Sequence, residues 1–243
     1  YFLHNSNFTK QWTEKYWGRH ENSILYPIAD IKKVSANIKV NNHLLKNNGK
    51  NVISVGRFTK RGHAKRQDFI LDAFNKANVL SNSSFNLFLV GSLNLLSNED
   101  LNFYNSLVNS KIKNVHFFPN LEFSKLVQLL EISKIYIHAT GVEKNPEKNP
   151  EELEHFGISV IEALMYNNYP IVYNQGGPAE TLKLLNVGET FHDFDSLVEI
   201  LEDKMTSDKL SDFKVNHNFL SPLEINNNNS LKIIKSLLST NDN

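Results

Sequence analysis

Glu154-His155-Phe156-Gly157-Ile158-Ser159-Val160-Ile161-Glu162 is the stretch on which the reading of this chain turns: two carboxylates eight positions apart, with a glycine between them that can open a helix. Ile158, Ile161, Leu164 and Met165 recur at helical spacing, so a helix is expected to start at Gly157 and to turn that stripe inward. Glu154 then stands just before the first turn. The backbone N–H groups of Gly157, Ile158 and Ser159 project from the helix N-terminus, where their partial positive charge suits a phosphate. Glu162 lies five residues further in. At about 1.5 Å of rise per residue it is roughly 7 Å from that seat, about the reach from a β-phosphate to a ribose hydroxyl pair. One segment thus offers places for a pyrophosphate, a ribose and, at Glu154, a sugar.

Outward from this stretch the chain alternates. Asn51 to Val55, Phe85 to Val90, Asn114 to Phe118, Lys134 to His138 and Tyr169 to Tyr173 are short β-rich runs. Helical patterns follow them at about 68–78, 99–109, 122–131, 157–167 and 177–185. That alternation predicts an α/β fold, a Rossmann-like doubly wound parallel sheet with helices on both faces. Ligands of such sheets sit beyond the carboxyl ends of the strands, where Arg57, Gly91, His138 and the turn at Gly176 fall.

Several further motifs lie on those strand ends. Val55-Gly56-Arg57-Phe58 is followed by Lys65-Arg66-Gln67 and a helix through Phe69, Ile70 and Phe74. Phe85 to Gly91 forms a second strand, and Gly176-Gly177-Pro178-Ala179-Glu180 a glycine-rich turn. With the two carboxylates at E-x7-E spacing, these resemble the family-4 retaining glycosyltransferases of the GT-B fold, over about residues 24 to 205. The resemblance implies a C-terminal donor-binding domain that takes a nucleotide diphosphate sugar, with transfer to a hydroxyl acceptor (glycan, lipid or small molecule), retention at the anomeric carbon, and neither metal nor cofactor. It implies catalytic roles for Glu154, Arg57 and Lys65, with the two cations neutralising the leaving diphosphate. Donor binding falls to Glu162 at the ribose, to Phe156, Gly157, Ile158 and Ser159, and to Gly56, Leu121 and Gly177. The family pattern sets its lysine nine residues before the last apolar anchor of the helix, and that count from Phe74 lands on Lys65, with Lys60, Arg61 and Arg66 as competitors.

Each feature also has a plainer reading. A helical glutamate is usually a surface residue, an arginine after a strand often only covers an edge, and Gly177-Pro178-Ala179-Glu180 can be a helix start with proline and an acid in its first turn. His138 and His155 lie near the cleft, but a lone histidine is more often structural. Residues 143–150 repeat Glu-Lys-Asn-Pro, first of all a solvated insertion and alternatively a flap over the sugar. Asp193-Phe194-Asp195 resembles a metal-binding D-x-D, but Ser196-Leu197-Val198-Glu199 reads as a capping box opening a helix, so no metal site is assigned.

The ends differ from the middle. Tyr1 to Ser6 and Phe8 to Gly18, with Trp12, Tyr16 and Trp17, resemble the last strand and helix of the family's N-terminal acceptor domain, so residues 1–23 are expected to be its remnant. Residues 24–218, entered through Tyr26-Pro27-Ile28-Ala29-Asp30, form the donor domain, and 219–243 a polar spacer, Asn226 to Asn229, with a last helix striped by Leu231, Ile234, Leu237 and Leu238. The start at Tyr1 reads as a fragment of something longer.

Composition narrows the alternatives. The 243 residues carry 26 basic and 26 acidic side chains, which leaves no electrostatic footprint for a nucleic-acid partner. Absence of cysteine removes disulfide and thiolate chemistry and fits a cytoplasmic protein of glycan biosynthesis. No apolar run approaches a membrane span, so peripheral membrane contact is expected only through the absent N-terminal half. Two rivals share such a pocket: a nucleotide-sugar-binding module without transfer, and a nucleotide-diphosphosugar epimerase.

Overall fold

The computed structural model describes residues 1–27, 50–207, 210, 212–216, 218 and 220–239, with the side chains of 237–239 left out; Ile28 to Asp30 and the last two leucines of the expected terminal stripe therefore lie outside the described side chains. Six parallel strands form the main sheet in the order β5-β4-β3-β6-β7-β8. They are β3 (Asn51–Val55), β4 (Asn86–Gly91), β5 (Val115–Pro119), β6 (Ile135–His138), β7 (Tyr169–Tyr173) and β8 (Glu189–Phe191). The connecting helices are α2 (Gln67–Leu80), α3 (Asn98–Asn109), α4 (Phe123–Ile132), α5 (Ile158–Met165), α6 (Gly177–Leu185) and α7 (Phe194–Thr206). The doubly wound α/β expectation is borne out.

Alternation inside the strands divides the core in two. Val52, Leu87, Leu89, Ile135, Ile137 and Ile171 face α2, α3 and α7, whereas Ile53, Phe88, Val90, Tyr136 and Val172 face α4, α5 and α6. Successive side chains of a strand point to opposite faces, so burial on both faces produces the continuous apolar runs seen in the sequence. The chain winds outward from β3 through β4 to β5, then returns to place β6 on the other side of β3. This reversal between β3 and β6 is where such sheets open a crevice.

Among the described residues, β1 (Phe2–His4), β2 (Asn22–Ile24), α1 (Asn7–Trp17) and α8 (Ser221–Ser239) stand apart from this sheet and its connecting helices. β1 pairs in parallel with β2, and α1 connects them. The last helix, α8, runs straight through Asn226 to Asn229, the residues expected as a spacer. Tertiary contacts override the poor helix preference of asparagine here. The Asn227 side chain accepts from Tyr26 N at 2.7 Å and donates to Tyr26 O at 2.8 Å, and the Ser230 hydroxyl donates to Ile24 O at 2.6 Å. Among the described residues no helix is long and apolar enough to cross a membrane.

Helix α7 opens earlier than its sequence suggested. Asp193, not Ser196, is the N-cap: its carboxylate accepts from Ser196 N at 2.9 Å while the Ser196 hydroxyl accepts from Asp193 N at 3.0 Å. Aspartate supplies two fixed acceptor oxygens at the cap, so it takes the position in preference to a serine three residues on. Asp195 pairs with Lys76 at 2.9 Å, so both aspartates of the D-x-D are engaged by neighbours.

Candidate functional site

The carboxyl end of β3 leads into Gly56 and Arg57, and the stem of Lys65 lies across Gly56. A methyl group built on Gly56 would be 2.3 Å from Lys65 Cγ, so only glycine lets that stem pass. Gly91, at the end of β4, is tighter still: its added methyl would meet the Gly56 carbonyl oxygen at 1.8 Å. Gln67 holds the loop from below, its amide donating to the carbonyls of Gly56 at 3.1 Å and Arg57 at 2.9 Å.

Of the five lysines and arginines in this loop, Lys65 alone reaches Glu154, with which it forms a short ion pair. Arg66 adopts a left-handed conformation at the start of α2 and turns to Glu143 at 2.8 Å and the Val142 carbonyl at 2.8 Å. Arg61 pairs with Glu99 at 3.1 Å, and Lys60 lies over the Phe103 ring at 5.2 Å. Arg57 is exposed, and its guanidinium has no hydrogen-bond or ion-pair partner among the described residues.

Glu154 also faces the end of β6. His138 Nε2, buried and without a hydrogen bond of good geometry, stands 3.4 Å from the same carboxylate. Burial works against charge on Glu154, but the proximity of His138 and the Lys65 ammonium outweigh it and hold the carboxyl well below the usual range. Burial pushes His138 down against the pull of Glu154, with Lys65 adding to the shift, so the imidazole is neutral near pH 7. Two positions on, the Thr140 hydroxyl is also buried without a partner among the described residues. His155, lowered by burial and by His63, packs edge-on to the His63 ring at 4.9 Å between centroids.

Gly157 caps α5 at φ 86°, a left-handed conformation that favours glycine. Ile161 and Leu164 point inward as expected, against Tyr26, Phe156, Leu220 and Leu223. Ile158 does not: it is 46% exposed, and Val160 and Ala163 are buried instead, against the sheet. The helix is covered on two sides, by the sheet and by α8, so its apolar face is wider than one stripe and leaves only its first turn open. The hydrogen bonds of the described residues leave the amides of Gly157, Ile158 and Ser159 without protein acceptors. That turn is fixed from below by Tyr136, whose hydroxyl donates to Ser159 Oγ at 2.8 Å. Tyr136 sits two residues before His138 on one strand, and period-two alternation is the signal that puts both on the site's side of the sheet.

Glu162 is half-buried and has no partner among the described residues. Burial alone pushes its carboxyl up. Phe156 directs its ring into the core, 5.9 Å from that of Tyr26, and leaves only its main chain to the crevice. Gly177 N donates to the Glu154 carbonyl at 2.8 Å, so the glycine-rich turn seats the segment that precedes α5. Leu121, just beyond β5, packs on the core against α4. Glu180 turns away from the crevice to the first turn of α1, accepting from Asn7 N at 2.8 Å and Phe8 N at 2.9 Å. The 143–150 loop is tied down by Glu143 to Arg66 and by Glu147 to Lys15 of α1 at 2.6 Å.

The ion pair of Lys65 and Glu154 joins the loop after β3 to the segment before α5 at the β3/β6 reversal, and Glu162 lies in the second turn of that helix. Comparison with known proteins gives the same direction. The family described as "Glycosyl transferases group 1" matches residues 36–215. The α-1,3/1,6-mannosyltransferase ALG2 of Yarrowia lipolytica is 26% identical over 246 residues, 87% of this chain and 50% of that protein. This chain therefore spans about half the length of that relative. Among solved structures, an α,α-trehalose 6-phosphate synthase from Burkholderia multivorans superposes with a TM-score of 0.71 at 11% identity, over 98% of this chain and 60% of that one. Anabaena HepE in complex with UDP superposes at 0.68 and 15% identity, over 96% and 63%.

Proposed function

As the chain belongs to the group 1 glycosyl transferases, we propose that it is the donor-binding half of a retaining, metal-independent glycosyltransferase of glycan biosynthesis that carries a hexosyl group from a nucleotide diphosphate to a hydroxyl. The observation that carries the reading is α5 itself: a helix whose first-turn amides are free and whose next turn presents a half-buried, unpartnered carboxylate, Glu162. Free amides at a helix N-terminus attract a phosphate, and a carboxylate one turn on can accept from both hydroxyls of a ribose.

The other side chains take complementary parts in this reading. Arg57, exposed and unpaired, meets the diphosphate. Lys65 has three N–H donors, so it can keep Glu154 and still donate a hydrogen bond to a phosphate oxygen. Together the cations stabilise the charge that develops on the departing diphosphate. Glu154 stays ionised and accepts from hydroxyls of the donor sugar, its orientation set by Lys65 and the Gly177 amide. His138, neutral and buried, stands beside it as a hydrogen-bond donor. The relative's name as a mannosyltransferase makes mannose the first sugar to try, on each nucleotide diphosphate in turn. The rival reading is a module that binds a nucleotide sugar without transferring it. An acceptor must be held over the donor for the reaction to proceed, and such positioning supplies about 7–11 kcal/mol of a barrier.

Thermal-shift screening against UDP, GDP and ADP with their sugar conjugates tests the proposal. A ligand selective for the folded chain raises its melting temperature steadily with concentration above Kd. A stabilising series for one nucleotide supports the reading, and the absence of any shift at millimolar concentration contradicts it. Product analysis then separates the rivals: transfer needs an acceptor, whereas an epimerase consumes donor alone.

A further inference from the structure

Helix α1 buries none of its residues, yet its first turn is firmly held. The Ser6 hydroxyl takes the Thr9 amide at 3.1 Å, as a serine cap does. The remaining amides, of Asn7 and Phe8, go to Glu180, 173 and 172 positions away in sequence. Glu180 Oε1 also accepts from the Asn7 side-chain amide at 3.0 Å and from the Tyr26 hydroxyl at 2.9 Å. Four donors fill a carboxylate with its roughly four acceptor sites, and a negative charge at a helix N-terminus is where the macrodipole favours it. Tyr26 is itself fastened to α8 by both main-chain bonds to Asn227.

The opposite end of the same turn touches the candidate site. Gly177 N donates to the Glu154 carbonyl at 2.8 Å. There is no slack in that contact: a methyl group on Gly177 would lie 2.0 Å from the His155 carbonyl oxygen, and one on Gly176 2.5 Å from that of Glu154. The carboxylate that anchors α1 is thus three residues from the amide that anchors Glu154. A third contact closes the loop, since the Phe8 ring of α1 lies 6.1 Å from the ring of His155.

We propose that Glu180 is a positioning residue for the donor site, coupling the placement of α1 to that of the Glu154–His155 segment through the first turn of α6. This rests on the reading of Glu154 as the donor-sugar residue. A structural cap would steady α1 alone; a coupling residue also steadies Glu154.

Amide hydrogen exchange on the intact chain, followed by NMR, separates these roles. Glu180→Gln replaces one acceptor oxygen by a donor and is expected to speed exchange at Asn7, Phe8 and also Gly177 by about tenfold. Ser6→Ala, which weakens α1 through its own cap, should speed Thr9 and leave Gly177 as in wild type. In the same variant set, Glu180→Gln should lower affinity for the sugar conjugate about tenfold relative to the bare nucleotide diphosphate, with the latter unchanged. Glu180→Asp, which keeps the charge, should recover part of both effects, and it carries the test if the Gln variant does not fold. Faster exchange confined to Asn7 and Phe8, with a wild-type affinity ratio, would overturn the proposal and leave Glu180 a helix cap. If wild type binds no nucleotide diphosphate sugar, the functional reading fails, while exchange at Gly177 still decides the coupling.

Discussion

Lys65 and Glu154 meet in one ion pair across 89 residues of sequence, with side chains only 16% and 18% exposed. The pair joins the loop after β3 to the segment before α5 across the crevice. Because the folded carboxyl of Glu154 is depressed, its contribution to stability is complete above the usual value of 4.5 and is lost progressively as pH falls below it. Wild type should exceed Glu154→Gln by about 1–2 kcal/mol at pH 7, allowing for partial exposure. Denaturant melts at a series of pH values should show the difference shrinking in acid. A gap that stays constant from pH 7 to about pH 3 would show that the carboxylate's charge is not what the pair stabilises.

Glu162 behaves in the opposite sense. Its carboxyl is raised by burial, so the ionised form is disfavoured in the folded chain and stability falls as pH rises through its folded value. Glu162→Gln should therefore match or exceed wild type in melting temperature at pH 7. A clear loss of stability would mean that the side chain has a structural partner and is not held open for a ligand.

Arg57 is exposed and unpaired, so Arg57→Ala should change stability by less than about 0.5 kcal/mol. Its loss should nonetheless weaken a bare nucleotide diphosphate and its sugar conjugate alike, by about ten- to hundredfold, the value of a charge-assisted hydrogen bond. Glu154→Gln should spare the bare diphosphate. Calorimetry showing both variants weakening the bare nucleotide equally would dismiss this division of roles.

The glycines of the two loops are not equivalent. Gly177→Ala drives a methyl group into main-chain atoms of His155 and Phe156, which side-chain motion cannot relieve. It should cost about 1–3 kcal/mol, the range for forced overpacking. Gly62, with nothing within 4 Å of an added methyl, should accept alanine within about 0.5 kcal/mol. Equal melting temperatures for the two variants would refute the close seating of the 154–157 segment on the glycine-rich turn.

Much of this was legible in the chain. The strands β3 to β7 announce themselves as short β-rich runs between helical patterns, and E-x7-E around Gly157 marks where the helix opens. The family's count back from Phe74 falls on Lys65, the basic residue of that loop that meets Glu154, while Arg66 bonds Glu143 and the Val142 carbonyl and Arg61 pairs with Glu99. Other features depend on partners distant in sequence. Periodicity shows that α5 is apolar, but which side is open depends on α8, so the stripe alone turns Ile158 inward while the fold leaves it exposed. β8, three residues long, is too short for a pattern. Glu180 looks like any acid in a first turn, since the α1 amides it accepts lie more than 170 positions upstream. The asparagine run reads as a spacer until Asn227 is seen on the main chain of Tyr26.

In the proposed function α5 holds a ribonucleotide diphosphate, by its N-terminal amides and by Glu162. Titrating the ribo- and 2′- or 3′-deoxyribo forms of the best-binding nucleotide diphosphate into wild type and Glu162→Ala, by calorimetry, tests it most directly. Wild type should prefer the ribonucleotide by about 1.5–3 kcal/mol, ten- to hundredfold in Kd, and the variant should bind both forms with the weaker affinity. Equal wild-type affinity for ribo- and deoxyribonucleotides, or a preference that survives in Glu162→Ala, would contradict the assignment.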